Sequence, residues 1–330
     1  MALPKVIVLS LGGTISSVES GGGGVSPSLT GEALIEAVPE ISDFADVSAS
    51  SVRQIPGSDL SVDDLVEVAR EATRQLDEGA AGVVITQGTD SIEETAFVMD
   101  LLVDREHPVV VTGAMRNPTL PGADGPANLL ASVQVAASGA AQGVGAVVVF
   151  NDEIHSARHV QKTHTQSPAT FRSAMTGPIG WISENQVRIA VRPVNRYRLD
   201  PGAVNGDHTV ALLKIGAGDD GRLIRAVGEL GYSGLVIEGL GGGHVPSVMV
   251  EPLSELADKM PVVLASRTGS GEVLRNTYDF PGSEMDLIQH GLIRAGILDG
   301  LKARLLLTLL LRSGASTDRI STTFDGWFQS

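Results

Sequence analysis

Ala81-Gly82-Val83-Val84-Ile85-Thr86-Gln87-Gly88-Thr89-Asp90-Ser91-Ile92-Glu93-Glu94 is the stretch that decides the fold class. Ala81–Thr86 is a short, nearly continuous apolar run rich in β-branched residues, which suits a strand buried on both faces of a parallel sheet. Gln87-Gly88-Thr89-Asp90 interrupts it with a glycine-containing turn. Ser91-Ile92-Glu93-Glu94 then matches a capping box ahead of an apolar-periodic segment. Strand, glycine turn and helix in that order are the repeating unit of an α/β fold.

Working outward, the same alternation recurs. Earlier and neighbouring strands are expected at Lys5–Leu11, Pro108–Thr112 and Gly145–Phe150, and later ones at Thr209–Ile215, Gly234–Glu238 and Pro261–Ser266. Ser61-Val62-Asp63-Asp64 predicts a second capped helix, and Gly125-Pro126 a third, with proline in its first turn. Between Arg192 and His208, Pro, Gly, Asn and charged residues dominate and apolar periodicity lapses. We therefore expect an α/β protein in two parts. Residues 1–191 form a larger N-terminal domain with a mainly parallel sheet, 192–208 a linker, and 209–330 a smaller C-terminal α/β domain. Gly21–Gly24 predicts a flexible loop.

Composition narrows the function classes. Lys and Arg total 24 against 39 Asp and Glu, a net charge of −15, which argues against nucleic-acid and anionic-membrane surfaces. The chain has no cysteine, so disulfides, thiolate nucleophiles and cysteine–zinc sites are excluded. The longest apolar stretch, Leu305–Leu311, is far shorter than a membrane span. Met1–Lys5 shows no signal-like pattern, giving a cytoplasmic expectation that a mature exported chain would also fit. His155, His159 and His164 cluster in sequence, but without a paired carboxylate motif they read as surface or structural residues rather than metal ligands.

In open parallel sheets, ligands bind at the carboxyl ends of strands. The first strand is followed by Gly12-Gly13-Thr14, the second by Gln87-Gly88-Thr89-Asp90 and the third by Gly113-Ala114-Met115-Arg116. Two of these turns deliver a threonine, whose hydroxyl becomes a nucleophile only when a neighbouring base takes its proton. Lys162, in Val160-Gln161-Lys162-Thr163-His164-Thr165, is a candidate for that base. From its tripeptide alone Thr14 reads as a turn residue, Thr89-Asp90 as a helix cap and Lys162 as a surface lysine.

Together these segments resemble the bacterial L-asparaginase/glutaminase family. The resemblance is carried by Leu11-Gly12-Gly13-Thr14-Ile15 and Thr86-Gln87-Gly88-Thr89-Asp90-Ser91-Ile92-Glu93-Glu94-Thr95-Ala96. Further matches are Thr112–Arg116, Ala123–Leu129, Lys162-Thr163 with Ala169-Thr170-Phe171, and Lys302-Ala303-Arg304. It covers nearly the whole chain in order and at matching spacing. It implies hydrolysis of L-asparagine to L-aspartate and ammonia through a threonine acyl-enzyme, with weaker action on L-glutamine left open. Thr14 is then the nucleophile, and Thr89 and Lys162 move protons. Asp90 binds the substrate α-amino group, the Thr89 amide holds the oxyanion, and the Ala114 backbone meets the scissile amide. No metal or organic cofactor is implied. A homo-oligomer is, as a tetramer built from two dimers.

Three positions depart from the best-known members. The lid expected over Ile15–Ser28 contains no tyrosine to hydrogen-bond the nucleophile. Gly57-Ser58, or Ser58-Asp59 if the alignment slips by one, stands where the family has a substrate-binding Ser-Gln pair. His244, in Gly241-Gly242-Gly243-His244, replaces an asparagine, and Glu284 falls where a neighbouring subunit supplies a carboxylate. Gly57, Ser58, Asp59, His244 and Glu284 thus join the expected substrate contacts. The competing readings are an amidotransferase subunit, disfavoured by the acidic surface, and a non-catalytic amino-acid sensor on the same fold. A dinucleotide oxidoreductase fails because Leu9–Ser16 lacks the G-x-G-x-x-G spacing.

Overall fold

The computed structural model describes residues 2–13, 17–19, 25–27, 30–194 and 196–327. Thr14, Ile15 and Ser16, the Gly21–Gly24 loop and much of the expected lid lie outside the described residues. The chain divides into two compact units, Met1–Pro201 and Gly202–Ser330.

In chain order the first unit contains β1 (Lys5–Ser10), β2 (Ser17–Glu19), β3 (Val25–Pro27), α1 (Gly31–Glu36), β4 (Asp46–Ser51), α2 (Val62–Asp77) and β5 (Gly82–Thr86). It continues with α3 (Ile92–Leu102), β6 (Val109–Thr112), α4 (Gly125–Ala137), β7 (Ala146–Phe150) and β8 (Glu153–Ser156). Four short strands close it: β9 (Gln161–Lys162), β10 (Phe171–Arg172), β11 (Gly180–Ser183) and β12 (Gln186–Ile189). An eight-stranded sheet runs in the order β12-β11-β8-β7-β6-β5-β1-β4. The five strands from β7 to β4 are parallel, and β8, β11 and β12 extend the edge antiparallel.

The apolar runs explain the middle of this sheet. Every residue of β5, β6 and β7 is buried. Val6, Val8, Val84, Val110, Val147 and Val149 pack on one face with Leu34 of α1 and Leu129 and Val133 of α4. Burying each such side chain contributes about 1.5–3 kcal/mol. Helices α2 and α3 pack against strands β5, β6 and β7. Ser61 caps α2 as expected, its hydroxyl accepting the Asp64 amide while the Asp64 carboxylate accepts the Ser61 amide. Proline does open α4. The capping box expected at Ser91 does not form, because the Ser91 hydroxyl is used elsewhere.

The second unit contains β13 (Val210–Lys214), α5 (Arg222–Glu229), β14 (Gly234–Gly239), α6 (Val250–Ala257), β15 (Val262–Ser266), α7 (Glu284–Gln289), β16 (Ile293–Arg294), α8 (Gly300–Arg312) and α9 (Thr317–Gly326). Its four strands, in the order β13-β14-β15-β16, are all parallel. Leu235, Ile237, Val262 and Leu264 pack with Ile224 of α5 and Leu253 of α6, while α8 lies against β13, β14 and β15. No described helix is long and apolar enough to cross a membrane.

Candidate active site

The parallel register brings the carboxyl ends of four strands level. Ser10 of β1 stands beside Ser51 of β4 and Thr86 of β5, and Thr86 beside Thr112 of β6. The ladder continues into the turns: the Leu11 amide donates to the Thr86 carbonyl at 2.8 Å, and the Gln87 amide to the Thr112 carbonyl at 3.1 Å. The turns that follow these four strands therefore leave the sheet side by side, and glycines let the backbones of those after β1, β4 and β5 touch. A Cβ on Gly13 would fall 2.0 Å from the Gly88 amide nitrogen, and one on Gly57 would fall 2.9 Å from the Gly88 carbonyl oxygen. Gly13 also adopts φ +89°, a conformation that other residues rarely accept. The backbone that leads into Thr14 is thus pressed against the turn that carries Thr89.

Residues 87–93 supply both the chemistry and its frame. Thr89 is buried and Asp90 is exposed. Lys162 on β9 reaches both, donating from Nζ to Thr89 Oγ1 at 3.0 Å and to Asp90 Oδ1 at 2.7 Å. The pairing that sequence leaves open is made across 73 residues. A lysine in contact with a threonine hydroxyl and a carboxylate can pass a proton along that path. The Lys162 amide also donates to Glu93 Oε1 at 3.1 Å.

Gln87 and Ser91 secure the next turn. Gln87 Nε2 donates to Ser91 Oγ at 3.1 Å, and Ser91 Oγ donates to the Gly57 carbonyl at 2.7 Å. That chain holds Gly57-Ser58-Asp59, of which Gly57 is buried while Ser58 and Asp59 are exposed and hydrogen-bonded to each other at 3.3 Å. The β6 turn is fixed from α4's side. The Asp124 carboxylate accepts the Met115 and Arg116 amides at 3.0 and 2.9 Å, and Asn128 Nδ2 donates to the Gly113 carbonyl at 3.0 Å. Ala114 is buried in the core between them. Gly57, Ser58, Asp59, Thr89, Asp90, Ala114 and Lys162 therefore all lie on turns or short strands of the first unit.

The β9–β10 ribbon that carries Lys162 is fastened at its base. Phe171 pairs with Lys162 in the ladder and packs on Phe150 with ring centroids 4.9 Å apart. His155 Nδ1 meets Ser173 Oγ at 3.1 Å, just beyond β10, and the ring is buried. Burial holds its pKa below the ordinary histidine value, against the opposing pull of the Glu153 carboxylate nearby. His155, on β8, thus ties the eight-stranded sheet to the residue that follows this ribbon.

His244 and Glu284 belong to the second unit, where they meet each other. His244 follows β14 in a glycine turn, and its Nε2 lies 3.1 Å from Glu284 Oε2. Glu284 Oε1 accepts the Thr277 and Tyr278 amides at 2.9 and 2.8 Å. The Glu284 side chain is fully enclosed, whereas that of His244 is 21% exposed. The His244 ring stands edge-on to Tyr278 and Phe280, with centroids 4.9 and 5.2 Å away. Burial opposes ionisation of Glu284, but the Tyr278 and Thr277 amides together with His244 outweigh it and hold its pKa below the usual carboxylate value. Among the described residues, no group of three or more His, Asp or Glu is placed to hold a metal ion.

Sequence reading misses Glu93, Gln87 and Ser91 as parts of this site. The available signal was a glutamate inside α3, a helix buried on nearly every side, where an ionised side chain needs a partner.

Comparison with known proteins follows the same two units. The family model for the N-terminal part of asparaginases matches residues 5–195, and that for the glutaminase/asparaginase C-terminal domain matches residues 209–324. The chain is 38% identical to the "Probable L-asparaginase" of Deinococcus radiodurans, over 98% of each chain. It is 34% identical to the "Probable L-asparaginase periplasmic" of Haemophilus influenzae, over 94% of this chain and 89% of that one. Among solved structures, the probable cytoplasmic L-asparaginase from Campylobacter jejuni superposes with a TM-score of 0.89 at 32% identity, covering 97% of this chain and 99% of that one.

Proposed function

The chain belongs to the asparaginase family, and on that premise we propose that it hydrolyses L-asparagine to L-aspartate and ammonia with Thr14 as nucleophile. The observation that carries this reading is the contact of Lys162 Nζ with Thr89 Oγ1 and Asp90 Oδ1, on the turn against which Gly13 packs. A sensor would need no such proton path beside a glycine-tight approach.

In the proposed reaction the Thr14 hydroxyl attacks the side-chain carboxamide carbon. Its proton passes toward Thr89 and Lys162, and the Thr89 amide supports the oxyanion. The carbon–nitrogen bond breaks, and the nitrogen leaves as ammonia with the transferred proton. Water then attacks the aspartyl ester, restoring Thr14 and releasing aspartate. Asp90 pairs with the substrate α-ammonium, Gly57-Ser58-Asp59 contact its polar end, and the Ala114 backbone faces the scissile amide.

His244 and Glu284 are proposed to complete a neighbouring subunit's site in a tetramer of two dimers. His244 is the exposed member of the pair; Glu284, expected as a direct substrate contact, is enclosed with its oxygens on the Thr277 and Tyr278 amides and His244, and is proposed to act by holding His244. L-Glutamine is a weaker substrate in this reading, since one added methylene is worth about 1–3 kcal/mol. The cytoplasm is the proposed compartment, on the likeness to the Campylobacter structure. Ammonia release measured on L- and D-asparagine, L-glutamine and β-aspartyl peptides tests the function. Turnover highest on L-asparagine is expected; binding of L-asparagine without ammonia release would favour the sensor instead.

A further inference from the structure

Lys162 has a long flexible stem, so its ammonium can stay on Thr89 and Asp90 only if its backbone is fixed. The ribbon is fastened on its β10 side, but β9 itself has only two residues and pairs with β10 alone among the described strands. The fixed point comes from α3. Glu93 lies in the first turn of that helix and is buried, and its Oε1 accepts the Lys162 amide at 3.1 Å across 69 residues of chain. The same short element, residues 89–93, thus carries both the anchor of the lysine's backbone and the two targets of its ammonium.

We propose that Glu93 is a positioning residue for Lys162: it touches no substrate and sets where the ammonium can reach. The proposal rests on the reading of Lys162 as the proton relay. What matters is an acceptor oxygen at the right reach, not charge alone. Glu93→Gln keeps a carbonyl oxygen at the same reach, whereas Glu93→Asp keeps the charge but draws the acceptor back by one methylene.

The test measures kcat and KM for ammonia release from L-asparagine in full-length Glu93→Asp and Glu93→Gln, each made with Lys162 intact and in Lys162→Met. Thermal melts confirm that each variant is folded. With Lys162 intact, Glu93→Asp should lower kcat about 10–100-fold while KM changes by less than about two-fold, because a displacement near 1 Å has costs of that size. Glu93→Gln should stay within about five-fold of the parent, since the acceptor remains in place. In Lys162→Met, Glu93→Asp should change kcat by less than about two-fold, because residues acting through one group are not additive.

An equal loss from Glu93→Asp with and without Lys162 overturns the proposal, as does a Glu93→Gln variant as impaired as Glu93→Asp. Failure of the underlying relay reading shows separately, as wild-type kcat in Lys162→Met alone, and overturns the Glu93 role with it.

Discussion

Gly13→Ala and Gly79→Ala carry almost the same backbone penalty but differ in what surrounds them. Gly13 has φ +89° and Gly79 has φ +95°. A side chain costs about 1–3 kcal/mol in such a conformation. A Cβ on Gly79, in the turn between α2 and β5, meets nothing within 4 Å. A Cβ on Gly13 would lie 2.0 Å from the Gly88 nitrogen and 2.4 Å from its Cα, closer than the 3.0 Å below which real Cβ contacts essentially never fall. The Gly13 and Gly88 turns must therefore separate by about 1 Å, which at a reacting centre costs about 100-fold in rate. Purified variants compared by thermal melt and ammonia release should separate these effects. Gly79→Ala should lower Tm by a few degrees, about 2–4 °C per kcal/mol in a domain of this size, with kcat unchanged. Gly13→Ala should lower Tm further and reduce kcat/KM by about 100-fold. Equal activity in the two variants would refute the claim that this close approach positions the reacting group.

Removing the ammonium in Lys162→Met should lower kcat by about 10²–10⁴-fold, with a much smaller change in L-aspartate affinity measured by calorimetry. For Glu284→Gln the sign follows from a folded pKa below the ordinary 4.5. The carboxylate's stabilising contribution is complete above 4.5 and is lost as pH falls through the folded value. The Tm gap between parent and variant should hold steady from neutral pH to about 5 and close on further acidification; a gap that widens in acid contradicts the assigned donors.

The seven apolar runs were legible because most are buried on both faces, which leaves no polar alternation to confuse them. Strand β4 was not, since Asp46–Ser51 is a half-exposed edge strand whose serines read as loop. Strands β8, β11 and β12 were also missed, being short antiparallel additions with little apolar content of their own. Thr89, Asp90 and Lys162 could be nominated from sequence, but their contact depends on a ribbon 73 residues away from the turn it meets. Ser91 shows how local and tertiary demands compete: its spacing to Glu94 suggests a cap, yet its hydroxyl is spent on Gly57. Glu284 opens α7, and only the fold shows that it also gathers two backbone amides and His244.

The central claim is that Thr14 forms the acyl-enzyme. Rapid acid quench during turnover of L-asparagine, followed by peptide mass spectrometry, reads it directly. An aspartyl ester is expected on the peptide containing Thr14, absent in Thr14→Ala together with ammonia release. An aspartyl adduct on another residue, or wild-type turnover in folded Thr14→Ala, would contradict it.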